Sequence, residues 1–124
     1  MDPKPVDLSY DDFAKLDIRA GRVLSVEAVP KSKKLLKLQV FFGPVIGTRT
    51  ILAGIAQAKT YGEVVDGVWN DSCLVGQGVV AVLNLAPKSM AGELSHGMIL
   101  ALHLSGGDLF LVSPGPAEGG EEVG

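Results

Sequence analysis

From Lys34 to Phe42 the chain alternates Leu36, Leu38, Val40 and Phe42 against Lys37, Gln39 and Phe41. This is the period of a half-buried antiparallel strand. Other segments can be read from the same pattern. Ser9 to Asp12 matches an acidic capping box and predicts a short helix over Asp11 to Lys15. Arg19 to Val29 predicts a long first strand, with Gly21 expected as a bulge or bend. Pro30 to Lys33 form the turn into Lys34–Phe42, and Gly43-Pro44 with Gly47 mark a loop before a third strand, Thr48 to Ile55. The apolar run Gly78 to Leu85 predicts a central strand. Gly97–Leu104 and Leu109–Val112 predict a hairpin around Ser105-Gly-Gly-Asp108, whose glycines supply the positive φ of a tight turn. Short strands with little helix indicate an all-β small barrel or sandwich.

At 124 residues the chain is expected to be one domain with a single core. Its 47% hydrophobic and 20% charged residues are those of a folded globular chain, with no apolar run of the roughly 18 residues that a membrane span needs. Residues 1 to 12 carry no basic head or apolar stretch, so no secretory signal is expected. The lone Cys73 cannot form an internal disulfide, and a cytoplasmic location is expected. The tail from Ser113 to Gly124, rich in Pro, Gly and Glu, reads as disordered when taken alone.

The net charge is −3, which excludes a protein coated in positive charge. The charge is uneven, however. Lys31, Lys33, Lys34 and Lys37 fall together, while Glu118, Glu121 and Glu122 crowd the C-terminus. A local basic patch with acid elsewhere would hold a polyanion without general stickiness; equally, these lysines could solvate a turn and an exposed strand face.

No constellation supports catalysis. Ser95 and His96 are neighbours and would point to opposite faces of a strand, so they form no nucleophile–base pair. His96, His103 and Cys73 lack paired metal-ligand spacing, and no cofactor or metal is expected. No phosphate-cradling glycine loop precedes a Lys-Ser/Thr pair. The reading is therefore binding without turnover. Lys31, Lys33, Lys34, Lys37 and Arg49 would track a phosphate backbone along the second and third strands. Asn84, Lys88 and Ser95 would hydrogen-bond to a sugar or base edge, and Met90 and Met98 would lie on an exposed base, although Met98 beside an apolar strand could equally belong to the core. With one Trp, two Tyr and four Phe, long stacking platforms are not available, so recognition of a folded shape is favoured over readout of a long single strand.

Residues 84 to 98 concentrate these features: Asn84-x-x-Pro87-Lys88, then Met90-x-Gly92-x-x-Ser95-x-Gly97-Met98. Upstream stand Phe13-x-Lys15-Leu16-Asp17-Ile18-Arg19-x-Gly21-Arg22-Val23, Lys34-Leu35-Leu36-x-Leu38-x-Val40 and Ala53-Gly54-Ile55. Four segments in this order resemble the tRNA-binding domain family. That domain occurs as a free-standing dimeric tRNA-binding protein, as the C-terminal appendage of many methionyl-tRNA synthetases, and in the endothelial-monocyte-activating polypeptide. The resemblance covers about Asp12 to Pro114. It implies an OB fold, a five-stranded Greek-key barrel that binds across its second and third strands, here with a short N-terminal helix. It also implies binding of tRNA as a non-catalytic cofactor or carrier for aminoacylation, a homodimer, a synthetase partner, and a Ser95-x-Gly97-Met98 segment on the tRNA-contacting surface. Pro114 with Gly120-x-x-Val123 is similar to the family's closing segment, which returns to the body and helps form the dimer, so partial ordering of residues 115–124 is expected.

The chain departs from the pattern in two places. The connection from Ile55 to Val79 is longer than usual, with Val68-Trp69-Asn70-Asp71-Ser72-Cys73 as the apparent extra material. There Trp69 would either plug its loop against the barrel or stack on a base, worth about 1–3 kcal/mol in the second case. Lys33 and Val29 stand where many relatives have aspartate and histidine. Two alternatives remain at this stage. A related branch of the fold is a secretion chaperone for unfolded or precursor polypeptides. Gly97-Met98 argues against it, whereas the acidic balance and a Phe41–Phe42 pair with one ring outward argue for it. The other alternative is an assembly module of a synthetase complex.

Overall fold

The computed structural model describes residues 2–124. It contains α1 (Tyr10–Ala14), β1 (Ile18–Ala28), β2 (Leu36–Phe41), α2 (Gly43–Ile46), β3 (Thr48–Ala53), β4 (Gly62–Val65), β5 (Val68–Asp71) and β6 (Gly78–Val82). There follow β7 (Lys88–Met90), β8 (Glu93–Ser95), β9 (Met98–Ile99), β10 (Ala101–His103), β11 (Leu109–Leu111) and β12 (Glu122–Val123). The main sheet runs β3–β2–β1–β6–β9, with every pairing antiparallel. It curls until its two ends meet, where the His96 amide donates to the Thr50 carbonyl at 2.9 Å. The result is the nearly closed, all-β barrel expected of an OB-like fold. No helix among the described residues is long and apolar enough to cross a membrane.

β2 places Leu36, Leu38 and Val40 inside the barrel, and Phe42 follows them. β6 reads as a continuous apolar run because both its faces are covered. Val79, Ala81 and Leu83 enter the main core, while Val80 and Val82 join Ile18, Leu100 and Val112 in a second cluster. The expected strand from Gly97 to Leu104 is divided at Leu100, where pairing passes from β6 to β11: the Leu100 amide donates to Val80, and its carbonyl accepts from Val112.

The bulge is not at Gly21. Pairing runs evenly through Gly21 opposite Val79, and the register shifts instead between Val23 and Ser25. Gly21 serves close packing, since a Cβ there would lie 2.6 Å from the Phe42 ring and 2.8 Å from Val40. Residues 43–46, expected as loop, form a single helical turn.

The long connection between β3 and β6 is built around a hairpin, β4–β5, whose Asp66-Gly67 tip has φ of 50° and 78°. Two positive φ values give the twist that suits a two-residue hairpin. Trp69 packs against the main core, and a Cβ on Gly62 would meet its indole at 2.6 Å, while its Nε1 donates to Asp71 at 2.9 Å. Trp69 therefore plugs the hairpin against the barrel. Tyr61 anchors the base: its carbonyl accepts from Ser72, and its hydroxyl accepts from the Leu111 amide at 2.8 Å.

The tail is ordered against its own barrel. Glu122–Val123 pairs with Ile18–Arg19, and the Gly120 amide donates to the Ala20 carbonyl. Arg19 donates to the Gly120 carbonyl and pairs with Asp17 and Glu122, and Arg22 donates to the carbonyls of Gly76 and Ala117. The Asp17 carboxylate, through hydrogen bond and charge, raises the Arg19 pKa further above its ordinary value. The Glu121 carboxylate accepts from the amides of Glu118 and Gly119, and these backbone donors hold it below the ordinary carboxylate range. Phe41 lies half-buried beside Gly119 and Phe42 is inside, so the aromatic pair shows solvent only part of one ring.

Candidate nucleic-acid interface

The lysine-rich turn is shaped by Ser32, whose hydroxyl accepts from the amides of Lys34 and Leu35 at 3.2 and 3.1 Å. This local bond delays the start of β2 to Leu36 and leaves Lys31, Lys33 and Lys34 exposed on the turn. None of the three forms an ion pair among the described residues.

Between the strands expected at 78–85 and 97–104 the chain forms a second hairpin, β7–β8, with its tip at Ala91 and Gly92 (φ 50° and 81°). It folds over β3 toward the lysine turn. A Cβ on Gly92 would lie 3.7 Å from the Lys31 ammonium, and Lys37 pairs with Glu93 at 3.4 Å. Two distant stretches of sequence, 31–37 and 88–95, thus meet on one rim. Lys31, Lys88 and half-buried Met90 are presented there, while Lys37 is partly neutralised by Glu93.

The other expected contacts are placed differently. Ser95 is 3% exposed; its hydroxyl accepts from the Leu52 amide and donates to the Gly97 carbonyl, both at 3.0 Å. It bonds the two ends of the barrel and faces no surface, because the Leu52 amide points away from β2 and has only Ser95 to satisfy it. Asn84 uses its carboxamide oxygen on the Asp17 amide at 2.7 Å and its nitrogen on the Lys15 carbonyl, which ties the end of α1 to the end of β6. Arg49 is partly buried and spends Nη1 on the Leu83 carbonyl at 2.9 Å. Met98 is outside the core, 49% exposed, and lines a small apolar hollow with Leu52 and His103. The expected set therefore divides into a solvent-facing rim of lysines with the β7–β8 hairpin, and a seam of Ser95, Asn84 and Arg49 that holds the barrel together. Among the described residues, no three His, Cys, Asp or Glu side chains converge to hold a metal ion.

Residues 18–122 match the family model described as "Putative tRNA binding domain". The chain is 42% identical over 114 residues to a methionine–tRNA ligase of Chlorobium phaeovibrioides, covering 92% of this chain and 14% of that protein. It is also 42% identical over 123 residues to the ligase of Pelodictyon phaeoclathratiforme, covering 99% and 15%. The chain thus spans a small fraction of the length of the curated relatives it matches. Among solved structures, the CsaA chaperone protein from Picrophilus torridus superposes with a TM-score of 0.80 at 27% identity, over 95% of this chain and all of that one. A MetRS related protein from Pyrococcus horikoshii gives 0.76 at 30% identity, over 95% and 98%.

Proposed function

We propose, from the premise that the chain belongs to the tRNA-binding domain family, that it grips folded tRNA without chemistry of its own and serves aminoacylation as a cofactor or carrier. The observation that carries this reading is the rim on which Lys31, Lys33 and Lys34 stand unpaired beside the β7–β8 hairpin, in a chain whose net charge is −3. Such a rim contacts phosphates locally while the remaining surface repels them. Lys88 and Met90 extend the contact, and Met98 offers a thioether farther along the face. Joined to a synthetase, covalently or as a partner, the module would convert a second binding step into an intramolecular one.

Homodimerisation belongs to the same proposal, with residues 115–124 beside the interface. Val6, Leu8, Tyr10, Phe13 and Leu16 are all exposed within eleven residues, and α1 buries none of its side chains. Leu16 and Val123 lie together around the hollow between α1 and β12. An apolar stretch of this kind on one chain suits the same stretch of a second copy across a two-fold axis. A single domain over 1–124 and a cytoplasmic location complete the reading.

A second reading, binding of unfolded polypeptide, is favoured by the superposition on a chaperone protein. Filter-binding titration against total folded tRNA over a salt series, with denatured polypeptide as competitor, separates the two. Saturation by tRNA that weakens steeply with salt and resists the competitor supports the tRNA reading. Absence of binding at low salt, with the polypeptide retained instead, refutes it.

A further inference from the structure

A separate groove of about 640 Å³ opens between the β1–β2 turn, the segment after β3 and the β4–β5 hairpin. That volume falls within the roughly 300–1,000 Å³ of small-molecule sites. No residue of β7–β8 lines it, and it meets the rim described above only at the lysine turn, through Ser32 and Lys33. Val29 and Ala56, both buried, make its floor, and the exposed Val64 makes one wall. Lys33 and Lys59 line it from two different segments, and Glu63 adds one carboxylate. The wall is held by the Trp69 indole wedged against Gly62 and by the Tyr61 anchor, so the groove exists before any ligand arrives.

An apolar floor with two cations and one acceptor complements a ligand that has a flat apolar body, an anionic group and an N–H donor edge. Two lysines against one carboxylate make a poor site for a metal cation, and a neutral apolar ligand would leave both ammonium groups unanswered. We infer that this groove takes a single unstacked nucleotide, with its phosphate toward Lys33 and Lys59, its base on Val29 and Val64, and its exocyclic amino group toward Glu63. Carboxylates accept hydrogen bonds from such amino groups, that of cytosine among them. Uracil lacks the group and flanks its one N–H with two carbonyl oxygens that a carboxylate repels. The inference deepens the tRNA-binding reading and rests on it for the source of the nucleotide, since single-stranded loops and ends are where RNA offers splayed bases.

Two arms test it on the full chain. In the first, CMP and UMP are titrated while the methyl resonances of Val29 and Val64 are followed by NMR. Saturable shifts with CMP, several-fold weaker with UMP, are expected. Lys59→Ala should weaken CMP, and Glu63→Gln should abolish the preference over UMP. In the second, tRNA should move the same methyls. Lys59→Ala should lower its affinity several-fold and reduce the log–log salt slope by about 0.7, while Val64→Ala lowers affinity at unchanged slope. CMP filling the groove in a chain that binds no tRNA would overturn the tRNA reading and leave a site for free nucleotides. tRNA binding with the two methyls unmoved and Lys59→Ala silent, or shifts from denatured polypeptide but not from CMP, would overturn the groove proposal alone.

Discussion

Replacing Ser95 with alanine removes the hydroxyl that bonds the two ends of the barrel. The side chain is 3% exposed, and its oxygen both accepts from the Leu52 amide and donates to the Gly97 carbonyl. Leu52 is itself 5% exposed, so water cannot readily take over its amide. A net hydrogen bond contributes about 0.5–1.5 kcal/mol, and a buried donor left without an acceptor costs about 1–3 kcal/mol, so a loss of about 2–3 kcal/mol is expected. Unfolding entropy near 2.1 cal/mol/K per residue makes each kcal/mol worth about 4 °C for a chain this long, so Tm should fall by about 8–12 °C. Circular-dichroism melts measure this directly. Filter binding of tRNA well below both melting temperatures should show affinity within about two-fold of the parent chain, a change under about 0.5 kcal/mol. Lys88→Ala, on the exposed residue opposite Ser95 in the hairpin, should behave in the reverse way, with Tm unchanged and tRNA weakened. A Ser95→Ala chain that melts with the parent yet binds tRNA ten-fold more weakly would refute the argument and return Ser95 to the ligand surface.

Lys33→Ala/Lys34→Ala should weaken tRNA and flatten its log–log salt dependence by about 0.7–0.9 for each phosphate no longer neutralised; a slope equal to the parent's would remove both lysines from the phosphate path. Gly21→Ala places a methyl 2.6 Å from the Phe42 ring, and this overpacking should cost about 1–3 kcal/mol in a denaturant titration, with an unchanged midpoint arguing against the packing account. Glu121 has a folded-state pKa below its unfolded one, so its contribution is fully present above about pH 4.5, the ordinary value, and is lost as pH falls through the folded value. Glu121→Gln should therefore be less stable than the parent at pH 6 and converge with it toward pH 3; parallel Tm–pH curves would contradict the assignment. Leu8→Glu/Phe13→Glu should reduce the mass seen by sedimentation equilibrium to that of one chain while tRNA binding at the rim persists, whereas a mass unaffected by both charges would place any dimer interface elsewhere.

Some of this architecture is legible in the sequence because the physics acting there is strong and local. Alternation across Leu36, Leu38 and Val40 marks a strand with one wet face, and the apolar run 79–83 marks one covered on both faces. The two hairpins that shape the rim and the groove are harder to read. β4–β5 carries the Asp66-Gly67 tip signal between Val-Val and Val-Trp, and that dipeptide is the mark by which it could be found. β7–β8 has Ala91 rather than Asn or Asp at its tip, and its three-residue strands are too short for a period to show. The bulge after Val23 is likewise silent, because Leu24 gives no glycine signal and the kink follows from curling the sheet. Asn84 and Ser95 read as free surface donors because polarity is visible in a sequence, whereas the burial of Ser95 and the engagement of both side chains with the backbone are not.

The residues by which the chain resembles its family coincide only in part, at Lys34, Lys88, Met90 and Met98, with those proposed to face a ligand. Asp17, Arg19, Gly21 and Arg22 of the opening motif pack β1 against Phe42 and hold the tail in place. Asn84 ties α1 to β6, Ser95 bonds the barrel ends, and Gly97 leaves room where a Cβ would lie 3.2 Å from Ile51 and from the Val82 carbonyl. At Ser95 a buried bond, and at Gly21 and Gly97 a close approach, restrict the residue that fits. An exposed ammonium contacting a phosphate has no such constraint, since a lysine two positions away on a flexible stem reaches the same oxygen. Much of the family motif thus reports how the barrel is built, whereas under the proposed function part of the affinity and preference would reside in loop residues such as Lys31, Lys33 and Lys59 that no motif marks. Such residues can be exchanged without unfolding the barrel. It follows that two chains of this fold, one holding tRNA and one holding polypeptide, can share the same seam and differ only in what the turn and the two hairpins present.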